Sequence, residues 1–109
     1  MQFQLSGQQI EVTPALRQHV ESRLDRLHRL DDKLISLTVI LSVDKLRHRA
    51  DATLGIKGTT LHAEAAETDM YASIDALFEK LVSQLRRHHE KASDKHHRDR
   101  ATHVEPQFG

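Results

Sequence analysis

Ile35-Ser36-Leu37-Thr38-Val39-Ile40-Leu41-Ser42-Val43 decides the fold. Ile35, Leu37, Val39, Leu41 and Val43 alternate without a break, which predicts a long strand with one apolar side. Asp44-Lys45 then opens a hairpin. Ala50, Ala52, Leu54 and Ile56 alternate against Arg49, Asp51 and Thr53, giving a second strand of that hairpin. Gly58-Thr59 fits a tight turn, and Leu61, Ala63 and Ala65 alternate against His62 and Glu64 to make another strand.

Towards the N-terminus, Thr13-Pro14 is a strong helix start, because Thr can cap and Pro fits the first helical position. Leu16, Val20, Leu24, Leu27 and Leu30 form one apolar face at helical spacing, and Asp31-Asp32 opens a turn after it. Before this helix, Phe3 and Leu5 alternate with Gln2, Gln4 and Ser6 in a short strand ending near Gly7. Towards the C-terminus, Thr68 or Asp69 caps a second helix. Its core face is Met70, Ile74, Leu77, Phe78, Leu81 and Leu85, and its pattern persists to about Lys91.

The order is β-α-β-β-β-α, an α+β fold. Two helices with one apolar face each need a partner surface, and a four-stranded sheet with both helices on one face supplies it. A right-handed crossover through the first helix makes the first two strands parallel neighbours. The α-β-β-β-α portion has the element order of a double-stranded-RNA-binding domain, an analogy of fold alone.

The chain has 109 residues, enough for one core and no second one. Residues 1–92 read as the folded domain. Residues 93–109 are polar, rich in His, Arg and Asp, and read as a tail that is disordered in isolation. Cysteine is absent, which excludes disulfides and thiolate metal sites. Neither a signal peptide nor a membrane span is present in the pattern, so the chain reads as a small soluble cytoplasmic protein.

Sixteen basic and sixteen acidic residues cancel, so any case for a polyanion rests on where the charges lie. Lys80, Gln84, Arg87 and Lys91 recur at helical spacing on one narrow face, whereas Asp75, Glu79 and Glu90 gather on another flank. The first helix repeats the sorting with Arg26, Arg29 and Lys33. Arg23 stands at the edge of its apolar face, where the stem covers core and the head reaches outward. If the helices pack side by side, both stripes would line one groove or a continuous surface for phosphates. The bland alternative is a pair of solvated helix faces. Aromatic residues are too few for a single-strand stacking platform, so recognition would lean on backbone and shape. Tyr71 is the one ring outside the core pattern, best read as half-buried.

Nine histidines invite a metal reading. Adjacent pairs such as His88-His89 and His96-His97 point apart on a helix, however, and no HExxH or i, i+4 His pair occurs. No metal or cofactor is implied. Asp51, His62 and Glu64 share a sheet face, but polar groups on an open sheet face are ordinary, and no nucleophile or phosphate loop accompanies them. The chain is not read as an enzyme.

The runs Asp51-Ala52-Thr53-Leu54, Leu61-His62-Ala63 and Asp69-Met70-Tyr71-Ala72-Ser73-Ile74-Asp75, with Lys80-Leu81 and Gln84-Leu85, resemble the ribosome hibernation promoting factors. Glu11-Val12-Thr13-Pro14-Ala15-Leu16-Arg17 and Arg23-Leu24-Asp25-Arg26-Leu27 match as well, so the resemblance covers Met1 to about Lys91. It implies a short-form, non-enzymatic factor related to the ribosome-associated translation inhibitor. Such a factor binds the small subunit and the 70S ribosome through 16S rRNA, over the mRNA and A- and P-site tRNA positions, in starvation or stationary phase. Short forms act with ribosome modulation factor to favour paired 100S ribosomes, whereas the related inhibitor opposes pairing; the tail here leaves that choice open. Away from the ribosome a monomer is implied. The rRNA-facing residues carried over are Arg17, Arg23, Arg26, Lys80, Arg87 and Lys91, with Arg29, Arg86 and His88 in support. Ser83 stands where the family often has a basic residue, a contact that is lost or taken over by Arg86. The competing reading is a protein-interaction module modulating a sigma factor, whose footprint would be an apolar patch outside the core faces.

Overall fold

The structure, a computed structural model, describes the backbone of residues 1–102 and the side chains of residues 1–91. The elements are β1 (Gln2–Gln8), α1 (Pro14–Leu30), β2 (Ser36–Asp44), β3 (Arg47–Ile56), β4 (Thr59–Glu67) and α2 (Met70–Thr102). The sheet runs β1-β2-β3-β4, with β1 parallel to β2 and the other pairs antiparallel. This is the β-α-β-β-β-α architecture that the patterning implies.

Local chemistry sets the boundaries. Thr13 Oγ1 accepts the Leu16 amide at 3.2 Å, and Pro14 follows at the first helical position, so α1 begins with one orphan donor satisfied and another absent. Its last turn closes on Asp31, whose carboxylate accepts the Lys33 amide at 2.8 Å. Lys33 therefore lies past the helix and outside the stripe that its spacing suggested. Asp69 caps α2 by accepting the Ala72 amide at 3.2 Å. The β3–β4 turn places Gly58 at φ +86°, a conformation that L side chains adopt only with strain.

The core forms as rows across the sheet. Phe3, Leu37, Leu54 and Leu61 make one row; Leu5, Val39, Ala52 and Ala63 make the next; Gly7, Leu41, Ala50 and Ala65 make a third. Leu16, Val20, Leu24 and Leu27 of α1 and Met70, Ile74, Leu77, Phe78, Leu81 and Leu85 of α2 are buried against this surface. Val82 is buried too, which widens the apolar face of α2 beyond the stripe read from its spacing. α2 lies over β3 and β4, where the small side chains of Ala50, Ala52 and Ala65 let a helix approach, and α1 packs alongside it.

The expectations for the strand ends and for the end of the second helix change. Ile35 and Val43, assigned to the apolar side of β2, are 55% and 40% exposed, because they stand at the two ends of the strand beyond the helices' cover. Leu46, in the β2–β3 turn, is 84% exposed. The sequence ends the second helix near Lys91, yet its backbone continues to Thr102. No Gly or Pro interrupts residues 91–102, so each added residue gains a hydrogen bond once the packed part has nucleated the helix. The rest of the expected tail, residues 103–109, lies outside the described residues.

Ser73 fixes α2 on the sheet. Its side chain is fully buried; Oγ accepts the Glu67 amide at 3.0 Å and donates to the His48 carbonyl at 2.6 Å. His48 and Glu67 are register partners of β3 and β4, so the hydroxyl sits at the end of their ladder and ties it to the start of α2. This sets the rotation of α2, and with it the direction each charged flank faces.

Candidate nucleic-acid interface

One flank of α2 faces the free edge of β4. Lys80 Nζ donates to the Glu64 carbonyl and Gln84 Nε2 to the His62 carbonyl, both at 2.7 Å. Arg47 donates to the Ala66 carbonyl at 2.9 Å. Alternate carbonyls of an edge strand point outward, and these three side chains satisfy the outward ones of β4 in succession. A carbonyl, unlike a carboxylate, brings no formal negative charge to Lys80. Further along, Arg87, His88 and Lys91 rim an open cleft of about 410 Å³ with Leu61 and Gln84. Among the described residues no carboxylate lines this cleft, so none of them competes with an anion for its cations. Arg is suited to bidentate phosphate contact and Lys to a point-charge contact.

The other flank of α2 faces α1 and has a different chemistry. Ser22, Arg23, Arg26, Arg29, Asp75, Phe78 and Glu79 line a groove of about 270 Å³. Asp75 Oδ1 accepts from both His19 Nε2 and Arg23 Nε, each at 2.8 Å. Arg23 also donates to Ser22 Oγ at 3.1 Å, and Ser22 in turn donates to the His19 carbonyl at 2.7 Å. The His19 ring stands edge-on to Tyr71 with centroids 5.0 Å apart. Burial pushes the Asp75 carboxyl up, but the hydrogen bonds and positive charge of Arg23 and His19 outweigh it and hold the group below its ordinary value. Near the end of α1, His89 Nε2 donates to Asp31 at 3.0 Å. The Asp31 carboxyl is also held down, first by the Lys33 amide; burial, the next effect, pushes it up, and the hydrogen bond and charge of His89 add to the lowering.

The sequence-derived candidates therefore divide. Lys80, Arg87, His88 and Lys91 come together beside β4; all are exposed except His88, which is half-buried. Arg23, Arg26 and Arg29 come together in the α1–α2 groove, with Arg23 held by Asp75. The two stripes do not form one groove, because they flank α2 on opposite sides. Arg17 and Arg26 are about two and a half turns apart, so Arg17 occupies the far side of α1. Arg86 is on the flank of Asp75 and Glu79 and does not join the ridge, so it is poorly placed to replace a basic residue at Ser83. Among the described residues, Arg17, Arg26, Arg29, Arg86, Arg87 and Lys91 make no salt bridge. The edge-capping role of Lys80 and Gln84 was not read from the sequence, although Lys, Gln and Arg opposite an outer strand are a recurrent way to blunt one.

The uncovered face of the sheet is polar and internally paired. Arg49 bridges Asp51, at 3.0 Å, and Glu64, which are cross-strand neighbours of like charge. The hydrogen bond and charge of Asp51, followed by the charge of Glu64, hold the Arg49 guanidinium still more firmly protonated. Thr53 Oγ1 and His62 Nδ1 hydrogen-bond at 3.2 Å across the same strands. Among the described residues, no three His, Asp or Glu side chains gather as a metal site, and no helix is long and apolar enough to cross a membrane.

Element order, strand pairing and helix placement define an α+β domain with close counterparts among solved structures. The ribosomal subunit interface protein from Coxiella burnetii aligns with a TM-score of 0.79 and 33% identity, covering 83% of this chain and 99% of its own. The N-terminal domain of Thermus thermophilus Protein Y aligns with a TM-score of 0.74 and 33% identity, covering 80% and 98%. The chain belongs to the sigma 54 modulation protein / S30EA ribosomal protein family, whose model matches residues 3–93. The ribosome hibernation promoting factor of Azotobacter vinelandii is 46% identical over 91 residues, which are 84% of this chain and 85% of the relative. The factor of the same name in Escherichia coli strain K12 is 41% identical over 91 residues, covering 84% and 96%.

Proposed function

We propose that this protein is a ribosome hibernation factor. It acts without catalysis, in the cytoplasm, by occupying the small subunit where mRNA and the A- and P-site tRNAs would lie. The observation that carries the reading is the cleft rimmed by Arg87, His88 and Lys91, which no carboxylate lines among the described residues, on a chain of this family. Its cations meet 16S rRNA phosphates, Lys80 adds charge from the β4 edge, and Arg26 and Arg29 extend the contact from the other side of α2. Arg23 serves mainly as an inter-helix tie. The folded body then excludes the translation ligands sterically, as a stationary-phase or starvation response. Action alongside ribosome modulation factor on 100S pairing belongs to the same reading, with residues 93–109 as the segment that would bias it.

Phosphate contacts by Arg17, Arg26, Arg29, Lys80, Arg87 and Lys91 would give log affinity a slope of about −4 to −5 against log salt. The test is sucrose-gradient co-sedimentation with purified small subunits, large subunits and 70S ribosomes at low and high salt. Binding to small subunits and 70S, weakening with salt and absent from large subunits, is the expected result. No co-sedimentation at low salt overturns the reading and favours a protein-interaction module instead.

A further inference from the structure

Gln84 brings to the Arg87 cleft an acceptor whose direction is fixed by the fold. Its Nε2 donates to the His62 carbonyl at 2.7 Å. A carbonyl only accepts, so the amide cannot turn over without losing that bond. Oε1, on the other branch of the same planar amide, therefore points away from that carbonyl. Among the described residues no hydrogen bond uses it, although the side chain is half-buried and lines the cleft. The groups beside it are of the opposite kind. Arg87 and Lys91 carry donors and no acceptor, and Leu61 supplies a half-buried apolar wall. Arg87 and His88 are three and four residues on from Gln84, so they are its neighbours on the helix surface, about 5–6 Å away between Cβ atoms. An anion held by Arg87 and Lys91 thus brings its own adjoining atoms within reach of Oε1.

A phosphodiester satisfies the donors. An acceptor beside them calls for a hydroxyl close to that phosphate, and in RNA the 2′-hydroxyl stands on the ribose carbon next to the 3′-phosphate. DNA carries only hydrogen there and would leave Oε1 unpaired. We propose that Gln84 sets the sugar specificity of the cleft: Oε1 accepts the 2′-hydroxyl of the nucleotide whose 3′-phosphate lies between Arg87 and Lys91. This rests on the reading of the cleft as an rRNA site. The cations supply affinity without regard to the sugar, Leu61 offers the ribose an apolar wall, and Gln84 separates ribose from deoxyribose.

The test titrates the full chain at low salt with short oligouridine, its 2′-deoxy form and its 2′-O-methyl form. The Gln84 side-chain amide is followed by nitrogen-15 NMR. The methylated strand keeps the 2′ oxygen and loses only the donor. Oligouridine should bind at least about threefold tighter than either of the others. Gln84→Lys keeps a donor for the His62 carbonyl and removes the acceptor, so it should bring the three affinities together with the melt near wild type. Arg87→Gln should weaken all three and leave their ratio unchanged. Equal affinities for wild type overturn the proposal, as does a preference that survives in Gln84→Lys, or no binding of oligouridine at millimolar strand. Small-subunit co-sedimentation run in parallel separates two failures. A chain that sediments with small subunits yet fails to prefer oligouridine loses only the role of Gln84; one that also fails to sediment loses the rRNA reading as well.

Discussion

The two flanks of α2 both carry cations and differ in what faces them. Towards α1, Asp75 takes Arg23 and His19, Glu79 lies in the same groove as Arg26 and Arg29, and Asp31 takes His89. Towards β4, Lys80 and Gln84 meet backbone carbonyls, Lys80 in a cleft that Glu64 and Glu67 also line, and among the described residues Arg87 and Lys91 meet no carboxylate. A cation facing a carboxylate holds two helices together. One facing a carbonyl closes a strand edge and gains no formal counter-charge from it, and one facing neither is available to a phosphate. The group opposite, more than the residue type, separates scaffold from interface.

The largest expected effect falls on the β4 flank. Arg87→Glu with Lys91→Glu should weaken ribosome binding at least about 100-fold, since two charge-assisted contacts of about 1.5–3 kcal/mol each are lost, while the thermal melt stays unchanged. Arg26→Glu with Arg29→Glu should cost only about tenfold, because Asp75 and Glu79 already offset that groove's field. Equal losses from the two pairs, measured by titration onto 70S ribosomes, would erase the distinction between the flanks.

Ser73→Ala tests what holds both flanks in place. It removes the buried hydroxyl that accepts from the Glu67 amide and donates to the His48 carbonyl and should cost about 2–3 kcal/mol, lowering the melting temperature by roughly 10 °C. Asp75→Asn probes the α1 flank by itself. Because the Asp75 carboxyl is held below its ordinary value of 3.8, its contribution is intact above that value and is lost as pH falls through the lowered one. The variant should lose less stability on acidification than wild type, as chemical denaturation at pH 7 and near pH 3 would show. The group is partly exposed, so solvent screening keeps the loss at pH 7 below about 1 kcal/mol. The smallest effect belongs to Lys80→Met: a change in stability under about 0.5 kcal/mol by denaturation, and a few-fold loss in ribosome affinity as one charge leaves.

Element order was legible because two periods separate cleanly in this chain. The alternation of Leu37, Val39 and Leu41 and the helical spacing of Ile74, Leu77, Leu81 and Leu85 have no other economical reading. Ends were less legible, since alternation says which side a residue faces and not whether a helix reaches over it; Ile35 and Val43 show that. The extension of α2 to Thr102 has no apolar signature to find. The ridge of Lys80, Gln84, Arg87 and Lys91 was visible from spacing alone. Its relation to α1 was not, because the side of α2 on which α1 packs depends on tertiary contacts such as Asp75 with Arg23 and His19. Ser73 also hid in plain view, as a lone buried hydroxyl has no pattern around it.

The most direct measurement is the salt dependence of small-subunit binding for wild type, Arg87→Gln/Lys91→Gln and Arg23→Gln. If the β4 flank carries the contact and Arg23 serves the fold, the double variant should flatten the log–log slope by about 2, and Arg23→Gln should leave the slope alone while lowering the melt. An unchanged slope for the double variant, together with a flattened one for Arg23→Gln, would contradict this assignment and place the interface in the α1–α2 groove.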